Sequence, residues 1–453
     1  MLQPFIYFFM EKAVQPVTPL ADARDGARKI LLDNNRGGYT IPSPRLYPFQ
    51  WSWDSGFIAL GLSYVDKTKA FDEIRSMFKG QWSNGMLPHI NFHHVDENYF
   101  PGPDVWGTKE CPWAPRKVAT SGITQPPVFG FILHLMADRM TDDPEFIELL
   151  KEIYPSIVHF HRYLYENRDP YDEGLVYIHH NWESGTDNSP LWDEALDTID
   201  VSSARDVSVL RRDLKTVDAD QRPTNENYKR YIYLVDLFRS CNYSDKRIFE
   251  RCPFLVQDVL FNSILIRSNE ALIELSSLIG QDDSELRKWN QKSIAALNNK
   301  CWDEQTGFYY DFDLVQNKRI PVIVSNGLMP LFAGVCTPQQ AEQLKHNLLS
   351  SFKNGDYLLC PSCAVDEPSF NPVKYWRGPV WINVNWMLYH GLKRYGLNEE
   401  AAIVKQTSIN LVEQSGFYEY FDPRPGISND KRGLGGNCFS WSAALYLDFL
   451  FNF

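Results

Sequence analysis

The chain has 453 residues, 44% of them hydrophobic and 23% charged, a composition that buries a large core and excludes a disordered tail or a fibre. Acidic residues outnumber basic ones by 57 to 45, and no segment gathers Lys and Arg into the stripe that a nucleic-acid partner needs. Aromatic residues reach 14%, with 13 Trp, 23 Tyr and 28 Phe, more than aliphatic core layers require, so some of them are expected to line a site.

In chain order, the apolar run at residues 5–10 lacks a basic start and a small-residue cleavage site. It reads as a packed or frayed terminus and not as a leader. No segment approaches the ~20 apolar residues of a membrane-spanning helix. Apolar residues recurring with a period near 3.6 predict helices over 19–33, 55–65, 68–80, 124–140, 145–167, 225–241, 255–280, 283–303, 325–333, 337–352, 378–395, 398–415 and 439–451. Strand-like alternation is confined to pieces such as 174–179 and 308–313, so β structure is expected only as minor hairpins. The class is all-α. No repeat at a fixed 20–50-residue period marks a solenoid. The stretch 193–254 is the most polar and reads as an insertion covering one face. Cysteines at 111, 241, 252, 301, 336, 360, 363 and 438 are too sparse for a disulfide scaffold and fit a reducing, cytoplasmic compartment.

Helices in pairs, with aromatic and acidic residues concentrated in alternate connections, point to a double ring whose loops build a pocket at one end. Six such connections stand out: QWSWDSGF (50–57), QWSNGMLPHINF (81–92), SGITQPPV (121–128), NWESGTDNSPLWD (181–193), YWRGPVWINVNW (375–386) and GFYEYFDP (416–423). Sugars present flat apolar faces rimmed by hydroxyls, so a sugar site pairs aromatic platforms with carboxylates, amides and guanidinium groups. Candidate contacts are Trp51, Trp53, Asp54, Gln81, Trp82, Gln125, Tyr375, Trp376, Arg377 and Trp381. Any one of these tryptophans could equally anchor a helix start in the core; it is the set that favours a carbohydrate.

Glycosidic hydrolysis asks for two carboxyl groups, one to protonate the leaving oxygen and one to activate water or attack the anomeric carbon. Asp187 follows Gly185 in a constrained polar turn, and Glu419 lies between Tyr418 and Tyr420, where desolvation would raise its pKa. Spacing alone leaves an Asx turn open for Asp187 and a surface charge open for Glu419. Other motifs carry less. Cys360 and Cys363 form a CxxC without a second pair at zinc-finger spacing. The doublets His93-His94 and His179-His180 are adjacent and come without an HExxH, so no metal site is expected. The glycines of 433–437 do not follow a strand in a βαβ unit and read as a flexible loop closing over a substrate.

The stretches RGGYTIPSPRLYPFQWSWDSGF (36–57), SGITQPPV, NWESGTDNSP, RPTNENYKRYIYL (222–234), YWRGPVWINVNWMLYHGL (375–392) and GFYEYFDPRPG (416–426) resemble the mannosylglycerate and glucosylglycerate hydrolases of glycoside hydrolase family 63. The resemblance spans nearly the whole chain in order. It implies an (α/α)6 barrel over 1–190 and 255–453, interrupted by a helical cap over 191–254. It implies inversion at an α-linked sugar, with Asp187 as general acid and Glu419 as general base. By the same matching Asp54 holds sugar hydroxyls, Trp53 shapes the pocket, and Tyr39 and Gly378 join the substrate-binding set. Arg222 and Tyr228 match the residues that grip the glycerate carboxylate, for which a guanidinium is the natural bidentate partner. The function implied is hydrolysis of 2-O-α-D-mannosyl- or 2-O-α-D-glucosyl-D-glycerate to hexose and D-glycerate, with no metal and no cofactor. The alternative is an α-glucosidase or trehalase-like hydrolase acting on a neutral disaccharide, for which Arg222 and Tyr228 would have no carboxylate. A sugar-binding protein without catalysis would not need both acids, and an α/α-barrel isomerase would use histidine pairs in their place. The expected partner is a small sugar–glycerate substrate, with neither nucleic acid nor membrane involved, and the sequence permits a homo-oligomer.

Overall fold

The computed structural model describes residues 21–202 and 204–451, so the apolar run at 5–10 lies outside the described residues. Among these, the helices are α1 (Ala21–Asn34), α2 (Ser52–Leu62), α3 (Lys67–Phe78), α4 (Pro103–Trp106), α5 (Phe129–Met140), α6 (Pro144–Arg168), α7 (Asp193–Asp197), α8 (Asn225–Ser240), α9 (Asp245–Arg251), α10 (Val259–Ile279), α11 (Ser284–Cys301), α12 (Pro330–Ala333), α13 (Pro338–Asn347), α14 (Ile382–Arg394), α15 (Asn398–Ser415), α16 (Asn429–Arg432) and α17 (Ser440–Phe451). Every segment with the 3.6-residue period carries a helix. The start of α5 is displaced by five residues, at Phe129 and not 124. Pro126 and Pro127 explain it, because each proline disfavours helical geometry in the residue before it.

Two kinds of helix alternate. All eleven residues of α2 are buried, and α17 is buried along most of its length, as helices apolar on every side must be. Their partners α3 and α1 are mixed in polarity and show a polar face to water. Neighbour packing follows a closed cycle in which α2 touches α5, α5 touches α10, α10 touches α12, α12 touches α14, α14 touches α17, and α17 returns to α2. Outside this cycle α3, α6, α11, α15 and α1 each lie against one of its members. Caps fix several starts: Asp258 accepts the Leu260 and Phe261 N–H groups ahead of α10, and Thr224 forms a capping box with Asn227 ahead of α8. No helix among the described residues is long and apolar enough to cross a membrane.

The β structure differs from simple hairpins. Gln50–Trp51 pairs with Ile90–Phe92, which pairs with Ala119–Thr120, so one three-stranded antiparallel sheet stitches together connections far apart in sequence. The 308–313 region does form short pairs, with Trp302–Asp303 and Lys318–Arg319. The expected strand at 174–179 is absent. Side-chain and helix-end acceptors claim its backbone, Asn262 Oδ1 taking the Val176 N–H and the Arg168 carbonyl the Tyr177 N–H, which leaves one bridge between Ile178 and Val256. The glycine-rich 433–437 segment is not a free loop either: Gly433–Asn437 is a strand paired with Tyr418–Phe421.

Candidate active site

At one end of the cycle two cavities meet. The first, of about 390 Å³, is lined by Pro42, Tyr47, Trp51, Trp53, Asp54, His89, Gln125, Gly185, Asp187, Tyr375, Trp376, Glu419, Phe439 and Trp441. All six aromatic connections contribute to it. The three-stranded sheet holds the first three together, since Trp51 pairs with Ile90, next to His89, and the third strand runs into the Gln125 loop. Asp54 stands in the first turn of α2. Gln125 Oε1 accepts the Trp53 N–H at 3.2 Å, which leaves its amide nitrogen as the end able to meet a sugar hydroxyl. Gly185 lets the Asp187 turn pass directly over an indole. Its φ is +76°, and a Cβ there would sit 2.6 Å from the Trp53 ring.

The loop that carries Asp187 is braced from behind by a buried charge cluster. Glu183 accepts Arg168 at 3.1 Å, the His179 N–H at 2.8 Å and the Thr124 N–H at 3.2 Å, tying this loop to that of Gln125. Glu419 sits on the strand Tyr418–Phe421, whose pairing with Gly433–Asn437 shifts register between Leu434 and Asn437. The released Gly436 N–H donates to Glu419 Oε2 at 2.9 Å. A Cβ on Gly435, where φ is +70°, would fall 2.4 Å from the same oxygen, so glycine is required there.

Glu419 is fully buried, Asp187 is half-buried where the two cavities meet, and the two differ in their partners. Burial pushes Asp187 up to about 7, with Arg222 opposing and the Glu419 charge adding to the rise; its one side-chain partner is the Tyr375 hydroxyl at a long 3.5 Å. Burial raises Glu419 too, but Arg222, the Gly436 N–H and the Tyr47 hydroxyl at 2.7 Å act against it. Glu419 thus has several groups that favour its charged form and Asp187 has fewer, so of the two Asp187 holds a proton more readily, an asymmetry of the kind acid–base catalysis uses. Asp54 is held well above the ordinary carboxylate range by burial and by the Glu419 charge. The contacts Asp187 to Tyr375, Tyr375 to Tyr47 at 3.0 Å, and Tyr47 to Glu419 cap the distance between the two carboxyl oxygens at about 9 Å.

The second cavity, of about 580 Å³, shares Tyr47, Trp51, His89, Asp187 and Tyr375 with the first. Its remaining walls include Arg45, Arg212, Arg222, Asp213, Tyr99, Tyr228 and Trp182. Arg222 spends one edge on Asp213 at 3.2 Å, lies over the Tyr375 ring at 4.1 Å and donates to the Tyr47 oxygen at 3.2 Å. Asp213 is held independently by Arg211, whose two bonds measure 3.1 and 2.7 Å.

Of the residues singled out in the sequence, Trp51, Trp53, Asp54, Gln125, Asp187, Tyr375, Trp376 and Glu419 line the first cavity, and Arg222 and Tyr228 line the second. Tyr39, Gln81, Trp82, Arg377, Gly378 and Trp381 line neither. Tyr39 stacks on His93 at 3.8 Å. Gln81 donates to the Gly85 and Ser156 carbonyls, and Trp82 donates to Thr120. Arg377 pairs with Asp193, and the Gly378 N–H bonds the Ser362 hydroxyl. Trp381 lies flat against the back of Trp376, with centroids 3.5 Å apart and planes 4° apart, and so braces the platform from behind. Sequence reasoning passed over Tyr47, His89, Trp182, Asp213, Phe439 and Trp441. Tyr47, His89 and Trp182 lie inside the quoted motifs and were findable there; Asp213 has no motif around it. The paired histidines serve structure: His93 bonds Gln50, His179 bonds Arg168, and His180 bonds the Tyr231 carbonyl. Burial raises both the Cys360 and Cys363 thiols, the latter to about 12, far from thiolate reactivity at neutral pH.

The profile of the mannosylglycerate hydrolase MGH1-like glycoside hydrolase domain matches residues 47–442. A mannosylglycerate hydrolase of Thermus thermophilus is 43% identical over 422 residues, which cover 93% of this chain and 99% of that protein. A glucosylglycerate hydrolase of Mycolicibacterium hassiacum is 32% identical over 438 residues, covering 94% and 96%. The crystal structure of a GH63 mannosylglycerate hydrolase from Thermus thermophilus, in complex with Tris and D-glycerate, is similar with a TM-score of 0.88 at 43% identity, covering 94% of this chain and 99% of that one.

Proposed function

The chain belongs to the MGH1-like mannosylglycerate hydrolases of glycoside hydrolase family 63 and is a glycosidase, and from that premise we propose that it hydrolyses 2-O-α-D-mannosyl- or 2-O-α-D-glucosyl-D-glycerate with inversion. The observation that carries the substrate is the arginine-walled second cavity, which opens onto the first at Asp187. A sugar ring in the first cavity places its glycosidic oxygen at Asp187 and its leaving group beside Arg45, Arg212 and Arg222. Three guanidiniums suit a carboxylate. They do not suit the second neutral ring of a trehalase-like substrate, whose hydroxyls offer them no charge.

In this mechanism Asp187 gives its proton to the departing glycerate oxygen as the bond to the anomeric carbon breaks. Glu419 takes a proton from a water that attacks that carbon from the opposite side, releasing a β-hexose. The contacts hold the separation to about 9 Å at most, below the upper end of the ~6.5–9.5 Å that inverting enzymes use to admit that water. Asp54 and the Gln125 amide meet ring hydroxyls, and Trp53 and Trp376 supply apolar platforms. The closed cycle of helices supports an (α/α)6 barrel over 1–190 and 255–453, with 191–254 as a cap that delivers Arg222 and Tyr228. Eight free thiols support a cytoplasmic setting. The test is product analysis against mannosylglycerate, glucosylglycerate, trehalose and sucrose in parallel; release of hexose from trehalose alone would overturn the assignment.

A further inference from the structure

An inverting cycle ends in the wrong protonation state. Asp187 has given up its proton and Glu419 has gained one, so a proton must travel from base to acid before the next turnover. Glu419 is buried, Asp187 is half-buried where the two cavities meet, and two phenols link them. Glu419 Oε1 is 2.7 Å from the Tyr47 hydroxyl, that hydroxyl is 3.0 Å from the Tyr375 hydroxyl, and that one is 3.5 Å from Asp187 Oδ2. Each phenol has one proton and can both give and accept.

The resting directions are set by count. Tyr47 spends its proton on ionised Glu419, so its oxygen accepts from Tyr375 and from Arg222 Nη1 at 3.2 Å. Tyr375 thereby spends its proton on Tyr47 and leaves its own oxygen to accept from protonated Asp187. After turnover the signs are reversed and the same three contacts can run the other way.

We propose that Tyr47 and Tyr375 form a proton-return relay that resets the catalytic pair through the protein, a role resting on the inverting mechanism given above. The step balances. The Glu419 carboxyl O–H breaks as its proton joins the Tyr47 oxygen, the Tyr47 O–H breaks as its proton joins Tyr375, and the Tyr375 O–H breaks as its proton joins the Asp187 carboxylate. One proton moves in sum, both phenols end neutral, and the chain ends in its resting direction. Arg222, fixed on Asp213 and lying over the Tyr375 ring, holds the middle of the relay in place.

The test is Tyr375→Phe, which removes the central hydroxyl and leaves the bond from Tyr47 to Glu419 intact. Rapid-quench kinetics on mannosylglycerate and glucosylglycerate should show a first turnover within about threefold of the parent, followed by a steady state slowed about tenfold or more, as for the loss of a proton-transfer partner. The slow phase should speed up with added imidazole or phosphate, which carry protons from outside, whereas a burst caused by slow product release would ignore buffer. Equal slowing of first and later turnovers, a buffer-independent slow phase, or unchanged steady-state turnover would each overturn the relay. If the phenylalanine variant does not fold, Tyr47→Phe is read by the same buffer dependence of its steady state, since loss of a donor to the base cannot be repaired by buffer. The anomer released in the first turnover, followed by NMR, separates this from the underlying reading: an α-hexose would mean retention and the failure of the inverting mechanism, whatever the buffer does.

Discussion

The two cavities that meet at Asp187 are both walled by aromatic rings yet carry opposite charge. The first holds the carboxyls Asp54, Asp187 and Glu419 and, among the described residues, no cation; the second shares Asp187 and sets Arg45, Arg212 and Arg222 against Asp213. A hexose needs acceptors for its hydroxyls and two acids for its bond, while a leaving group that is itself an anion needs cations. The contrast does a second thing, because the Arg222 charge opposes the rise in pKa of both Asp187 and Glu419. The residue that would read the leaving group also tunes the pair that cleaves it.

The hardest blow to the first cavity is loss of a carboxyl. Asp187→Asn and Glu419→Gln should each lower kcat on glycosylglycerates by about 10³-fold or more. An α-glycosyl fluoride separates them, since fluoride leaves with little acid assistance: it should restore much of the rate to Asp187→Asn and none to Glu419→Gln. Recovery of both, or of neither, would undo the division of roles. Next comes the second cavity. Arg222→Ala should cost about 10- to 150-fold in kcat/KM on the charged substrates, the worth of a charge-assisted bond of roughly 1.5–3 kcal/mol, and much less on a neutral glycosylglycerol. Arg211 still holds Asp213 in that variant, so the stretch around Asp213 keeps its anchor. Equal losses on both substrates would erase the distinction between the cavities.

A smaller effect concerns pH. In the proposed mechanism Asp187 acts in its protonated form, and its pKa is raised to about 7, so kcat/KM should fall as pH rises through about 7, while the acid limb follows Glu419. Each lies in the other's field, so the limbs belong to the pair. Arg222→Ala should move both limbs upward when followed with the fluoride. Stability carries the matching sign. A carboxyl whose pKa climbs from 3.8 to about 7 on folding adds stability that is complete below its unfolded value and lost as pH rises through the folded one. Asp187→Asn should therefore gain in Tm over the parent as pH goes from 5 to 8; a constant difference would deny the raised acid. The least effect is expected from Tyr228→Phe, a few-fold loss confined to charged substrates, since only a neutral hydroxyl on that cavity's wall is removed.

Helices were legible because apolar residues repeat with their own period, and even α12 and α13 stand where that period placed them. What periodicity cannot give is the side of a loop on which a ring ends up. Trp376 and Trp381 share one motif, yet one faces the cavity and the other stacks behind it. Gln81 and Trp82 have the composition of a sugar contact and spend their polar atoms on the neighbouring chain. Tyr47 lies inside a quoted motif, but only the fold brings it against Glu419, 372 residues away. Asp213 and Arg211 lie two apart in a polar stretch where any charge reads as solvated, until the fold brings Arg222 beside them. The glycines of 433–437 were visible as unusual, but the reason, a carboxylate in the space a side chain would fill, is a contact across the fold.

The sheet that stitches the first three connections has a bearing on how the molecule comes together. Its strands are two or three residues long, too short to persist as an isolated hairpin, and they join Trp51 to Ile90 and Asn91 to Thr120 across about 40 and 30 residues of chain. Such pairings form only after the helices between them have docked, so the catalytic face is assembled late and is tied down by few backbone bonds of its own. Under mild denaturant that face should loosen ahead of the helical body, with amides of the sheet exchanging before those of α2 and α10, and the enzyme falling silent while its helices are still intact.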